Sequence, residues 1–345
     1  MLQFRKQGHT VISLTQGSGE LINPFLEQNN IEAFTHVVRR TFDLWYYFLH
    51  LVHFVKFCRM KKVDVVFSHL DPANFVAAAG QYFVSSRVYL CRHHIDEAAL
   101  YKSDQHWSYR LTNFLARKII VVSRRAARYM NEVEGVPAGK LVHINLGYDF
   151  TLFKTSERSV TDALRSQYAA DLLLITVCRL TRFKRPELSV QVLERLRKSG
   201  TDARLIILGA GEMKDELNSY IARNGLSSVV SLPGHVGNIM DFIQIADFVL
   251  HPSVLESSCV VVKEAGLLKK PVIVCQGIGD FDDYIRHGEN GFLVSRENFV
   301  NETVSLLTRH AGDLTMKKKI GDKLFDDVNK LFDVRNVIPA YYDLI

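Results

Sequence analysis

At 345 residues, with 47% apolar and 23% charged side chains, the chain is long enough for two domains that each bury a core, which excludes an intrinsically disordered protein. Its net charge of +6 lies wholly in the first half: residues 1–150 hold 18 Lys and Arg against 12 Asp and Glu, and the remainder 25 against 25. That imbalance suits an anionic partner for the first half, a lipid surface or a phosphorylated substrate, while the lack of a basic run with interleaved aromatics argues against nucleic acid.

Cys58, Cys91, Cys178, Cys259 and Cys275 stand far apart without a CxxC, the pattern of reduced thiols in a cytosolic protein rather than of a disulfide framework or structural metal site. Met1 to Lys6 leads into an alternating run with no small-residue cleavage site, so no secretory signal is expected. Gly8 to Thr15 reads as a strand entered from a helix end; an α/β domain would begin one strand and one Gly-rich turn earlier, so an unfilled position is expected in the opening sheet.

A second strand is predicted over 34–39 and a helix over 42–60. The aromatic core of that helix, Leu44 to Val55, is too short to span a bilayer and carries two histidines. It reads as a buried helix; the alternative is a helix lying on a membrane surface, because Arg39, Arg40, Lys56, Arg59, Lys61 and Lys62 flank it. The β-branched run 63–69 has the character of a buried parallel strand, followed by a helix from Pro72 to Phe83 and a strand Val88–Cys91. Helix 104–117, strand 119–122, helix 124–134 and strand 141–144 continue the alternation that implies a doubly wound sheet.

A link near residue 152 and a polar stretch, Lys154 to Thr161, precede a second series. Strands are predicted over 172–177, 203–208, 229–232, 247–250, 271–274 and 291–294, with helices over 186–199, 212–224 and 237–245 between them. Ligands bind open α/β sheets beyond the carboxyl ends of the strands, where helix N-termini present unpaired amides. At those ends the sequence puts Arg179 and Lys184, two cations bracketing a loop before Pro186, a pattern suited to a diphosphate. Gly209 and Gly211 there permit close approach of a ligand or a plain tight turn, and Gly234 with His235 forms a loop that could meet a base edge. Glu256 and Glu264 stand eight positions apart; a helix beginning near Ser258 would aim the amides of Ser258, Cys259 and Val260 at a phosphate, leaving the acids for hydroxyl donors. In the first half, His93 and His94 follow a strand, one able to bond a sugar hydroxyl or leaving phosphate and the other to pack. Asp280 to Asp283 contains a DxD spacing and reads as a surface turn.

Taken together in this order and spacing, Cys178-Arg179-Leu180 with Lys184, Gly209-Ala210-Gly211, Pro252-Ser253 through Glu256 to Glu264-Ala265, Lys270 to Ile273 and Glu289 to Val294 resemble the retaining, nucleotide-sugar-dependent glycosyltransferases of family 4. The resemblance covers nearly the whole chain. It implies an α/β GT-B fold, two facing Rossmann-like doubly wound parallel-sheet domains with a central cleft: residues 1–152 on the acceptor side, 153–328 binding the nucleotide sugar, and a C-terminal helix, 329–345, returning to the first domain. It further implies that Arg179 and Lys184 hold the donor diphosphate, that Glu264 bonds the ribose, and that Glu256 with Ser257, Ser258, Cys259 and Val260 contacts the donor sugar and phosphate. The loop at Gly234 and His235 would border the base, and His93, or His94 in its place, would lie near the sugar. Two departures stand out: no Gly-rich turn precedes Gly8, and the usual Phe-Gly after the first glutamate is Ser258-Cys259.

The implied activity is metal-independent sugar transfer with retention from a nucleotide-diphosphate sugar, UDP- or GDP-linked, to a saccharide or lipid-linked acceptor in surface polysaccharide or glycolipid synthesis. No cofactor is expected; the placement is cytoplasmic, with peripheral contact to anionic membrane through the basic first half. The alternative is a catalytically impaired nucleotide-sugar-binding or scaffold protein of the same fold.

Overall fold

The computed structural model describes residues 1–16, 22–38, 43–93 and 106–345, which form two compact units: Met1–Asn145 with Val337–Ile345, and Leu146–Asn336.

In the first unit β1 (Ile12–Gln16) and β2 (Glu32–His36) form a parallel pair of their own, while β3 (Val65–His69), β4 (Arg87–Arg92), β5 (Ile119–Val121) and β6 (Leu141–His143) make a separate parallel sheet in chain order. The core beneath the second sheet gathers Val88, Leu90, Ile119 and Val121 against Phe54, Val76 and Met130 from helices. Helix Asp43–Lys61 buries His50, Phe54, Phe57 and Cys58 at helical spacing but exposes Leu44, Trp45, Phe48 and Val52. The reading as a buried helix therefore holds for one face only; its 19 residues carry more apolar side chains than the sheet beneath can cover. Closing residues of the chain pack here as well: Tyr89 gives its hydroxyl proton to the Leu344 carbonyl, and the Phe4 ring meets Tyr342 at 5.0 Å between centroids.

The second unit is organised around one six-stranded parallel sheet: β7 (Leu172–Val177), β8 (Ala203–Leu208), β9 (Val230–Gly234), β10 (Phe248–His251), β11 (Val272–Cys275) and β12 (Phe292–Val294), in the spatial order β12-β11-β10-β7-β8-β9. Every residue of β7 is buried, as expected of a central strand covered on both faces, and its single hydroxyl, Thr176, donates to Ser189 at 2.8 Å. Helix Pro186–Lys198 turns Val190, Leu193 and Leu196 inward, its start fixed by proline in the first turn. An additional helix, Arg158–Gln167, occupies part of the stretch read as a polar link; its entry is tied down where Ser156 donates from its amide and hydroxyl to Asp241 at 2.6 and 2.7 Å. Strand order reverses between β7 and β10, so a crevice opens between the loops that leave these two strands.

Candidate functional site

The loops leaving β7 and β10 carry Arg179, Lys184, Glu256, Ser257, Ser258 and Cys259, half of the second-unit residues singled out in the sequence. After β7 the chain turns tightly, with the Lys184 amide donating to the Thr181 carbonyl at 2.9 Å, which leaves Arg179 exposed and Lys184 half-buried. Lys184 reaches across the switch point and its ammonium pairs with the Glu256 carboxylate from the loop after β10. Arg185, which the sequence reading passed over, sets this geometry. It adopts a left-handed backbone (φ +48°), and its guanidinium donates at 2.8 Å to both the Pro252 and Arg296 carbonyls, clamping the β7 loop to the far side of the sheet. Val254 adds a backbone bond to Phe183 at 2.9 Å.

Glu256 accepts a second charged bond, from His251 Nε2 at 2.6 Å, and the same ring nitrogen lies 3.5 Å from Cys259 Sγ. Burial opposes ionisation of Glu256, but His251 and Lys184 outweigh it and hold its carboxyl at about 2. Burial would likewise strip the proton from His251; the Cys259 sulfur and the Glu256 carboxylate reverse this and raise its pKa. The sequence reading does not single out His251; its spacing of five to Glu256 is the available signal. Glu256, His251 and Cys259 each place one ligand atom within 4.8 Å of the others, a nitrogen, oxygen and sulfur set of the kind zinc accepts, though Glu256 is already engaged by Lys184. Where the resemblance led to Gly, Cys259 thus supplies a buried partner for His251.

Helix Val260–Leu267 starts two residues later than expected, with Cys259 in the cap position, so the unpaired first-turn amides belong to the residues from Val260 onward and not to Ser258. Ser257 is half-buried in the approach to it. Within the helix Glu264 is mostly shielded from solvent, burial pushes its carboxyl up, and its Oε2 meets no hydrogen-bond donor among the described residues. Such an oxygen is a place for a hydroxyl to donate.

Behind this loop lies a polar strut. Lys263 and Asp280 are both fully buried and pair at 2.5 Å, and Ser258 donates to the same carboxylate oxygen at 2.7 Å. The Lys263 ammonium also sits 4.5 Å from the Phe332 ring centroid and 4.9 Å from that of Tyr284. The reading of Asp280 to Asp283 as a surface turn is therefore corrected: Asp280 and Phe281 are interior, because Lys263, distant in sequence, neutralises the first acid.

Gly209 and Gly211 do permit a close approach, but the approaching group is the chain itself. A Cβ on Gly209 (φ +128°) would lie 1.9 Å from the Cys178 carbonyl oxygen, and one on Gly211 2.4 Å from that of Leu180. Backbone bonds run from Leu180 N to Ala210 O at 3.0 Å and from Gly209 N to Gly234 O at 2.8 Å, joining the loops after β7, β8 and β9. Gly234 turns with φ +80° beside open space, and His235 is exposed.

In the first unit His93 follows β4, half-buried, with its Nε2 2.7 Å from His69 Nδ1 and the two rings stacked. Burial and the neighbouring His93 lower His69 to about 4, so His69 is neutral at ordinary pH. Arg92, the first member of the Arg-His-His run, is structural: it is buried and forks onto Glu134 at 2.9 and 3.1 Å. His94, Asp96 and Glu97, like Arg39 and Arg40, lie outside the described residues.

Residues 163–308 match the family model for glycosyl transferases group 1, and residues 2–152 that for glycosyltransferase family 4, so each half of the chain matches a glycosyltransferase family model. Among curated proteins, the poly(ribitol-phosphate) alpha-N-acetylglucosaminyltransferase of Staphylococcus aureus is 21% identical over 49% of this chain and 34% of its own length. The uncharacterized glycosyltransferase MJ1607 of Methanocaldococcus jannaschii is 26% identical over 69% of this chain and 63% of its own. The chain thus spans between about a third and somewhat under two thirds of these relatives. Among solved structures, Anabaena Alr3699/HepE in complex with UDP superimposes with a TM-score of 0.83 at 21% identity, covering 97% of this chain and 99% of that one. A glycosyltransferase from Rickettsia africae reaches 0.80 at 16% identity, with 99% and 91% covered. At these identities the likeness concerns the fold, two Rossmann-like parallel-sheet domains of the GT-B type.

Proposed function

We propose that this chain is a retaining glycosyltransferase that moves a sugar from a nucleotide-diphosphate sugar to a saccharide or lipid-linked acceptor in cell-surface glycan synthesis. The observation that carries the reading is Glu264 Oε2, shielded and without a donor among the described residues, on the helix that follows the loop where Glu256 pairs with Lys184. A ribose hydroxyl beside a diphosphate would answer both features. UDP is the favoured nucleotide, because the Anabaena structure was solved with UDP and a companion one with UDP-glucose.

In this mechanism Arg179 and Lys184 take up the charge that develops on the leaving diphosphate, assisted by the first-turn amides from Val260 onward, and no divalent ion is required. An ammonium has three protons, so Lys184 can keep one on Glu256 while giving others to phosphate. Glu256, held ionised by His251, stays an acceptor that orients sugar hydroxyls. Ser257, Ser258 and Cys259 line its approach, His235 borders the base, and His93 is the first unit's candidate for the sugar. Gly209 and Gly211 serve the site by letting the loops interlock.

A calorimetric titration with UDP, GDP and ADP tests the nucleotide site, with Glu264→Ala and Lys184→Ala as controls; unchanged affinity in both variants would sink this placement. Turnover of UDP-sugar with acceptor extract then tests transfer. The second reading, a binding protein impaired in catalysis, is favoured by the separation of β1-β2 from β3-β4-β5-β6. Nucleotide binding without donor turnover would select it.

A further inference from the structure

The loop after β10 gathers three metal-ligating side chains that sugar transfer does not require together. His251 ends the strand, Glu256 follows on the loop and Cys259 caps the next helix, so all three come from one short stretch. Both partners approach a single ring nitrogen, His251 Nε2, with Glu256 Oε1 at 2.6 Å and Cys259 Sγ at 3.5 Å. A tetrahedral zinc, bonded at about 2.0 Å to nitrogen and about 2.3 Å to sulfur, holds those two ligands about 3.5 Å apart. Imidazole and sulfur therefore already stand at a metal-site separation. The carboxylate alone has to draw back, by about 0.7 Å, to the spacing of about 3.3 Å that nitrogen and oxygen ligands keep.

Each ligand is held from outside the cluster. Phe281 meets the His251 ring edge-on, with 5.8 Å between centroids and 85° between planes. Ser253 donates to the Phe183 carbonyl at 3.3 Å and so helps Arg185 to fix the start of the loop. Gly279 packs on Glu256, where an added Cβ would fall 2.8 Å from the glutamate Cβ. His251 and Cys259 are buried and Glu256 is half-buried, so the carboxylate is the ligand nearest the crevice between the loops after β7 and β10. Lys184 stands on that side of it and supplies the positive charge that Glu256 accepts in the structure.

From this arrangement we infer that His251, Glu256 and Cys259 form a zinc site whose occupation excludes the pairing of Lys184 with Glu256. Thiolate and imidazole select zinc over magnesium or calcium, which take oxygen ligands. On binding, zinc takes Cys259 as thiolate and His251 as neutral imidazole, their protons leave to solvent, and water fills the fourth position. The dication repels the ammonium from the oxygen they compete for. Cys259 decides the site, since it stands where the resemblance has glycine. The consequence for transfer rests on the proposed function: with zinc bound, Glu256 is no longer available to orient the donor sugar, and the enzyme is inhibited. The metal site itself does not depend on that reading.

The test is titration of the untagged full chain with cobalt(II), the spectroscopic stand-in for zinc, with no donor or acceptor present. One equivalent should bind and give a thiolate-to-cobalt charge-transfer band that zinc removes and magnesium does not. Cys259→Ala should abolish the band and weaken zinc binding about a hundredfold or more, while Cys58→Ala, a buried thiol of the first unit, should keep both. Melting curves check that the variants fold, and Cys259→Ser replaces Cys259→Ala if alanine leaves the chain unfolded. Lys184→Met removes the competing cation and should tighten zinc binding about tenfold. A parent without the band, a band that survives loss of the Cys259 thiol, or zinc affinity unchanged by Lys184→Met overturns the inference. Titration of the zinc-free chain with UDP judges the proposed function separately, so either can fail without the other.

Discussion

The buried pair of Lys263 and Asp280 offers a sharp test, because each residue is fully enclosed and either single substitution strands a charge. In Lys263→Met, Asp280 keeps only Ser258 as a side-chain donor among the described residues and can escape its burial by taking up a proton. Raising a carboxyl from about 3.9 to beyond pH 7 costs about 4 kcal/mol, which caps the loss at that pH. In Asp280→Asn, Lys263 must shed its proton or remain charged over Tyr284 and Phe332. Neutralising it from about 10.4 costs about 5 kcal/mol, and the ring faces return about 1 if it stays charged. The two variants then differ in sign with pH. A carboxyl whose folded pKa is raised gives the native state an extra proton, so Lys263→Met gains stability as pH falls, by about 2 kcal/mol from pH 7 to 5.5. A lysine whose folded pKa is depressed gives the extra proton to the unfolded state, so Asp280→Asn gains stability as pH rises. Lys263→Met with Asp280→Leu together should lie within about 1 kcal/mol of the parent, since an apolar pair of similar volume avoids desolvation altogether. The assay is urea unfolding of the full chain at three pH values, with hydrogen exchange in β7 reporting the second unit. Single variants that cost under about 1 kcal/mol, or that share one sign of pH dependence, would refute the reasoning.

Glu264→Gln should lower UDP affinity about tenfold or more while leaving thermal stability equal or higher, because a shielded carboxylate without a donor is relieved; titration and a melting curve on one sample check it. Gly209→Ala, whose Cβ would meet the Cys178 carbonyl at 1.9 Å, should cost about 3 kcal/mol or more in urea unfolding and weaken nucleotide binding together with it. For Glu256, whose carboxyl is depressed from 4.5 to about 2, the ionised form contributes about 3 kcal/mol that is fully present above pH 4.5 and drains away as pH falls toward 2. Glu256→Gln should flatten that acid limb in a pH series of melts.

The second sheet was readable in the sequence because β7, β8, β10 and β11 are short continuous apolar runs, the mark of strands covered on both faces, and β7 and β8 fall at the predicted residues. The strand ends followed from that, which puts Lys184 and Glu256 on loops leaving adjacent strands, where they pair. What escaped has a common cause, a partner far along the chain. Asp280 looks solvated beside Asp282 and Asp283 until Lys263 is seen to reach it. Arg185 looks like one more cation in a basic loop until its guanidinium is traced to the Pro252 and Arg296 carbonyls. The helix Arg158–Gln167 was hidden because it turns one buried residue, Thr161, inward and so lacks an apolar period.

The interlocked loops after β7, β8 and β9 bear on how the chain could be re-engineered. Because Gly209 is wedged against Cys178 and its amide is held by Gly234, the segment carrying Arg179 and the one carrying His235 cannot shift separately. Under the proposed function, a substitution made at His235 to alter nucleotide preference would be felt at Arg179, and selections for a new base should return compensating changes in the first loop as well as the third.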